Sequence, residues 1–121
     1  MKHKIFILFF LGLFLCLSFS ACESEQSVWR IGVSQCSDDA WRTQLNREIE
    51  REALFYPGVS LEFKSAHDDS QQQIKDIETL VNDGVDLLVV APNEVSAITP
   101  VIEKIYQQGI PVVFEDRKID S

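Results

Sequence analysis

Apolar residues along this chain keep two spacings, and the two spacings alternate. In residues 29–34 the branched Ile31 and Val33 predict a short strand, broken by the polar cluster at residues 35–39. Asp38 or Asp39 can cap the helix that follows. There Trp41, Leu45, Ile49 and Ala53 fall four apart and predict one buried face, with Leu54 widening the stripe. Arg47, Glu48 and Arg51 take the solvated side, and Pro57-Gly58 ends the helix. Val59, Leu61 and Phe63 then alternate with Ser60, Glu62 and Lys64, which predicts a half-buried strand at a sheet edge. A second helix carries Ile74, Ile77, Leu80 and Val81 and closes at Asn82-Asp83-Gly84, where glycine is free to turn left-handed. Residues 85–91 are apolar apart from Asp86, the mark of a strand covered on both faces. Pro92-Asn93-Glu94 breaks it, and a third helix shows Ile98, Val101, Ile102 and Ile105 on one side before Gly109. Residues 110–114 make a fourth strand.

Four strands alternating with three helices at this spacing predict an α/β fold, a parallel, doubly wound, Rossmann-like βαβ sheet. Helices should cover both faces.

The first 28 residues follow a different pattern. Lys2 and Lys4 precede an apolar run over residues 5–17, and small Ser18, Ser20 and Ala21 come just before Cys22. Residues 1–21 therefore read as a secretory signal peptide, which places the rest outside the cytoplasm. The run is shorter than the ~20 apolar residues of a comfortable bilayer span, although an uncleaved membrane anchor stays open. Residues 22–28 form a polar tether, and the folded part occupies residues 29–121. The stretch Ser18-Phe19-Ser20-Ala21-Cys22 resembles a bacterial lipobox, which implies acylation of Cys22 and attachment to the membrane. Ordinary cleavage, leaving Cys22 free, is the alternative.

Charge narrows the partners. The chain carries a net charge of −8, and the signal removes two lysines but no acid. Nucleic acid is excluded, because phosphate binding runs on clustered Lys and Arg. Adhesion to anionic lipid is disfavoured for the same reason. About one hundred exported residues suffice for one small domain. Cys16 leaves with the signal, so a Cys22–Cys36 disulfide is the one bridge that an oxidising compartment offers.

In an open α/β sheet, ligands bind outside the carboxyl ends of the strands. Here those ends are four polar loops on one rim. Within them Asp38, Trp41, Asp116 and Arg117 have the chemistry for a neutral polyol. A carboxylate accepts paired hydroxyl hydrogen bonds, an arginine fork donates with fixed geometry, and an aromatic face packs on the C–H face of a sugar ring. The plainer alternative puts Trp41 in the helix's core stripe and leaves Asp116-Arg117 a solvated loop. Enzyme readings fare worse. No Gly-rich phosphate loop follows the first strand and no Gly-x-Ser-x-Gly elbow occurs, so no cofactor is expected. His67 is the only histidine after the signal, so a histidine-based metal site or triad is not expected. Beside Asp68 and Asp69 it reads as a polar surface loop or a cation site. A phosphorelay receiver needs an acceptor aspartate ending the third strand, and Val90-Ala91-Pro92 has none.

With these residues located, the chain resembles the type I periplasmic sugar-binding proteins, the ribose- and galactose-binding group. The matching pieces are Ile31-Gly32-Val33-Ser34, Asp83-Gly84-Val85-Asp86, Val89-Val90-Ala91-Pro92-Asn93 and Gly109-Ile110-Pro111-Val112-Val113, ending in Asp116-Arg117. The resemblance implies that Asp116 and Arg117 contact the sugar, and that Asp38 and Trp41 line the loop after the first strand. The run from Ala91-Pro92-Asn93-Glu94 through Thr99-Pro100 to Asp116-Arg117-Lys118 looks most like the periplasmic sensor domains of hybrid two-component regulators. It implies a small sugar as ligand, an incomplete N-terminal lobe of a two-lobed fold, and partners beyond this chain: a C-terminal lobe and a downstream kinase. The alternatives are the solute-binding lipoprotein of a sugar importer, with a permease as partner, and a truncated α/β remnant that binds nothing.

Overall fold

Strands and helices alternate through residues 28–119, the part of the chain that this computed structural model describes. The predicted signal, the lipidation of Cys22 and all of the tether but Val28 lie outside the described residues. The elements are β1 (Trp29–Gln35), α1 (Ala40–Ala53), β2 (Val59–Ser65), α2 (Ser70–Asn82), β3 (Leu87–Val90), α3 (Val95–Gln107) and β4 (Val112–Phe114). All the pairings are parallel, in the order β2-β1-β3-β4. The chain winds outward from β1 to β2 and then reverses to β3 and β4. Right-handed crossovers therefore put α1 on one face and α2 with α3 on the other. The reversal makes the carboxyl ends of β1 and β3 a switch point, where such sheets open a crevice.

The α2/α3 face holds the main core. Ile77, Leu80, Leu88, Val90 and Ile98 are fully buried there, and Val101, Ile102 and Ile105 complete the predicted stripe of α3. A Cβ at Gly32 would stand 3.1 Å from Val85 Cγ1 and 3.2 Å from Leu80 Cδ1, so α2 packs directly on the backbone of β1. Asp69 caps α2 by accepting from the Gln71 and Gln72 amides. Gly84 closes it at φ +82°, the left-handed turn expected of a glycine there. Gln73, within α2, is fully buried but satisfied: its Nε2 donates to the Ala91 carbonyl at 2.9 Å, and its Oε1 accepts from the Asn93 amide at 2.8 Å. One amide side chain thus ties α2 to the carboxyl end of β3.

Three expectations need correction. In α1 the inward residue of the first turn is Arg42, and Trp41 is 57% exposed. The inward face runs through Arg42, Leu45, Asn46 and Ile49, so it keeps Leu45 and Ile49 of the apolar stripe and puts Arg42 in the place of Trp41. Leu54, expected to widen that stripe, is 82% exposed. Secondly, β3 begins at Leu87 rather than at residue 85. Val85 is spent on the core, and the Asp86 carboxylate takes the Arg30 amide at 2.8 Å. Thirdly, β4 begins at Val112, because the Ile110 amide still closes α3 on the Ile105 carbonyl.

Candidate functional site

The rim at the carboxyl ends of β1, β3 and β4 is organised by one buried cation. Asp39 is the N-cap of α1, accepting from the Arg42 amide at 2.9 Å and from the Ser37 hydroxyl at 2.7 Å. Those donors hold its carboxyl below the usual carboxylate range, the Arg42 amide most of all, helped by the Arg42 guanidinium. The cap sets the first turn of the helix so that Arg42 points back over the sheet, where it is only 5% exposed. Charged side chains are buried to that extent only when paired. Arg42 Nη2 meets Asp116 Oδ2 at 3.1 Å, Nη1 donates to Gln35 Oε1 at 3.3 Å, and Nε lies 3.4 Å from Asp39 Oδ2.

Gln35 extends this network across the strands. Its Nε2 donates to Asn46 Oδ1 of α1 at 2.8 Å and to Glu115 Oε2 at 3.3 Å. Burial pushes the Glu115 carboxyl above its ordinary range, with Gln35 and Arg42 pulling partly the other way.

The four residues singled out from sequence all lie on this rim, in three different settings. Asp116 sits in the β4 loop at φ +65°, paired with Arg42. Arg117 reaches back across that loop, its Nη1 donating to the Asn93 carbonyl at 2.5 Å. Asn93 in turn donates to the Asp68 carbonyl at 3.0 Å and the Ser70 hydroxyl at 2.9 Å, so the β2, β3 and β4 loops are laced together. Trp41 presents an exposed ring with the Arg42 guanidinium 5.3 Å from its centroid. Asp38 faces the His67 ring, a contact that joins the β1 and β2 loops. His67 and Asp68 both take positive φ, at 50° and 65°, so this loop is shaped by a specific backbone. Among the described residues no group of three or more His, Cys, Asp or Glu side chains is placed to hold a metal ion. Cys36 is buried at the start of the β1 loop, and Cys22 lies outside the described residues.

Gln35, Arg42, Asn46, Asn93 and Glu115 are rim residues that the sequence reading passed over. One signal did exist: Arg42, Leu45 and Ile49 are spaced i, i+3, i+7, a helical face that an apolar-only count does not see. A separate groove runs along β4 between Ile102, Tyr106, Val112, Phe114 and Ile119. It lies at the β4 edge of the sheet, with Glu103 and Gln107 also in its lining.

A rim with two paired but half-exposed acids, an arginine fork and an exposed aromatic face can hold a small, neutral, hydroxyl-rich molecule. The profile of the family described as "Periplasmic binding protein domain" matches residues 31–121. The ribose import binding protein RbsB of Bacillus subtilis is 31% identical over the whole of this chain and 43% of its own length. A D-xylose-binding periplasmic protein of Haemophilus influenzae is 30% identical over the whole chain and 36% of its own. Among solved structures, the fructose binding periplasmic domain of the hybrid two component system BT1754 is 54% identical, with a TM-score of 0.75. That match covers 77% of this chain and 31% of the other. The chain thus spans less than half the length of the relatives it matches.

Proposed function

Because the chain belongs to the periplasmic binding protein family, we propose that it contributes the first-strand side of a site for a neutral monosaccharide. D-fructose is the leading candidate. The observation that carries this reading is the convergence of Asp116, Arg117 and Trp41 on the rim at the switch point of the sheet. The 54% identity to a fructose binding domain supports the choice of sugar. Asp38 lines the same rim from the β1 loop. The site works in the periplasm as part of a sensor of the hybrid two-component type, the protein being exported by its signal; a lipid on Cys22 would instead favour an importer. An importer's solute-binding lipoprotein is the second reading, favoured by the likeness to RbsB. A phosphorelay partner for the first, or a permease for the second, lies beyond this chain.

Calorimetric titration of the full-length protein with D-fructose, D-ribose and D-xylose tests the reading. Asp116→Ala should weaken binding of the preferred sugar by roughly 2–4 kcal/mol, because a charged hydrogen-bonding partner is lost. That corresponds to about thirtyfold to thousandfold in affinity. Unchanged affinity in a folded Asp116→Ala protein would remove Asp116 from the site, and no binding of any of the three would remove the sugar.

A further inference from the structure

We propose that Arg42 is a positioning residue of this site: its buried guanidinium locks the turn at Asp116 into its ligand-facing shape and fixes that turn to the first helix. The proposal rests on the sugar reading for its ligand and on the geometry below for everything else.

The turn is strained. The Arg117 amide donates to the Glu115 carbonyl at 2.7 Å, closing a three-residue turn around Asp116. Its central residue has φ +65° although it carries a Cβ. Turns of this hand are rare and costly, and they persist where the surroundings over-determine them. Three contacts do so here. The Glu115 amide is held by the Val90 carbonyl at 2.9 Å, Arg117 is anchored on the Asn93 carbonyl, and the Asp116 carboxylate is held by Arg42. The last acts on the strained residue itself, and more closely than the Arg117 Nε, which stands 3.9 Å from the same Asp116 oxygen.

Charge makes the same point. Asp39, Glu115 and Asp116 gather around this one cation, which is nearly closed off from solvent. Remove the guanidinium and the carboxylates repel one another, with the β4 loop the part freest to move. Arginine suits the task because its planar fork reaches Asp116 and Gln35 from two nitrogens while Nε faces Asp39. A lysine at this position can hold Asp116 but cannot span all three. The same guanidinium lies against the exposed Trp41 ring, so it also orders the aromatic face. Arg42 would then link the acidic and aromatic halves of the site without touching the sugar.

The test uses the full-length protein and its Arg42→Gln, Arg42→Lys and Asp116→Asn variants, with two readouts. The first is affinity for D-fructose and D-ribose. The second is the ¹⁵N order parameters of the Asp116 and Arg117 amides, with the Leu88 amide as a core reference. Arg42→Gln should weaken sugar binding at least thirtyfold. It should also drop the two loop amides from rigid values near 0.85 toward 0.6, leaving Leu88 unchanged. Arg42→Lys should fall between, and Asp116→Asn should loosen the Arg117 amide although the volume is conserved. Loop amides as rigid in Arg42→Gln as in the wild type would overturn the proposal, as would unchanged sugar affinity. If Arg42→Gln does not fold, Arg42→Lys and Asp116→Asn decide by the same two readouts. If the wild type binds neither sugar while the loop still loosens, the sugar reading fails and the locking of the turn stands.

Discussion

On the α2/α3 face of the sheet Leu80, Leu88 and Ile98 are fully buried, whereas on the α1 face Val113 stays 48% exposed and the helix points a guanidinium at the strands. Two helices cover the first face; a single helix lies over β1 and β2 on the second. The register puts Val33, Val89 and Val113 in one row across the sheet, on the side that α1 only partly shelters. The turn after α1 likewise leaves Leu54, Phe55 and Tyr56 largely in solvent. Apolar burial, which scales with area removed from water, is therefore concentrated on one face. The other face gives its inward positions near the rim to Gln35, Arg42 and Asn46, a hydrogen-bonded network that is costly to leave half-made. The densest apolar packing and the Arg42 polar network sit on opposite sides of the same four strands.

Truncation on each face separates these roles most sharply. Leu80→Ala should cost about 2–5 kcal/mol, the range for a large aliphatic deleted from a close-packed core. Ile49→Ala on the inward face of α1 should cost about 1–2 kcal/mol, since that side chain is only half-buried. Urea unfolding of the two variants under the same conditions measures the difference. Equal losses would mean that the α1 face is as well packed as the other, and the contrast would be wrong.

Gly32→Ala probes the tight side of the contrast from the backbone. Its new methyl would meet Val85 Cγ1 and both Cδ1 and Cβ of Leu80 at 3.1 to 3.3 Å, and both residues are anchored in the core. The helix must back away from β1, a loss of about 1–3 kcal/mol. A neutral result in thermal unfolding would show that α2 can shift without penalty.

The same asymmetry decided what could be read in advance. Helix α3 was legible because its inward residues Ile98, Val101, Ile102 and Ile105 are all apolar and periodic. The α/β order and the edge position of β2 followed from alternation alone. Helix α1 departs from its apolar stripe in the first turn, where the inward residue is the charged Arg42 instead of Trp41. The i, i+3, i+7 spacing of Arg42 with Leu45 and Ile49 is the one local mark of its burial, and its partners are remote: Asp116 is 74 positions away, and Gln35 meets Glu115 across 80. The rim location of Asp38, Trp41, Asp116 and Arg117 came from strand ends and turn chemistry, which are local. Which of them pair, and with what, is set by β1 and β4 flanking β3, a fact of topology rather than of spacing. The extra residues at the start of β3 and β4 were lost to Asp86 and to the closing turn of α3, both of which compete for the same backbone groups.

The smallest effect lies within the polar network, where two carboxylates around Arg42 should respond to pH with opposite signs. Asp39 has its carboxyl held low by amide and hydroxyl donors. Its contribution is present above pH ~3.8, its ordinary value, and fades as pH falls through the lower folded value. Glu115 has its carboxyl raised by burial above its ordinary value of about 4.5. In the window above that value the folded protein holds a proton that the unfolded chain has released. Stability from Glu115 is thus complete below pH ~4.5 and declines as pH rises through its folded value. Glu115→Gln mimics the protonated form, so it should be neutral at pH 4 and slightly stabilising at pH 7. The gain should stay below about 1 kcal/mol because the group is partly solvated. Asp39→Asn should do the reverse, costing stability at pH 7 and losing that cost under strongly acidic conditions. Urea midpoints of both variants between pH 3 and pH 7 measure the pair. Parallel profiles would mean that burial does not separate the two acids, and that the network is as solvated at β4 as it is at the helix cap.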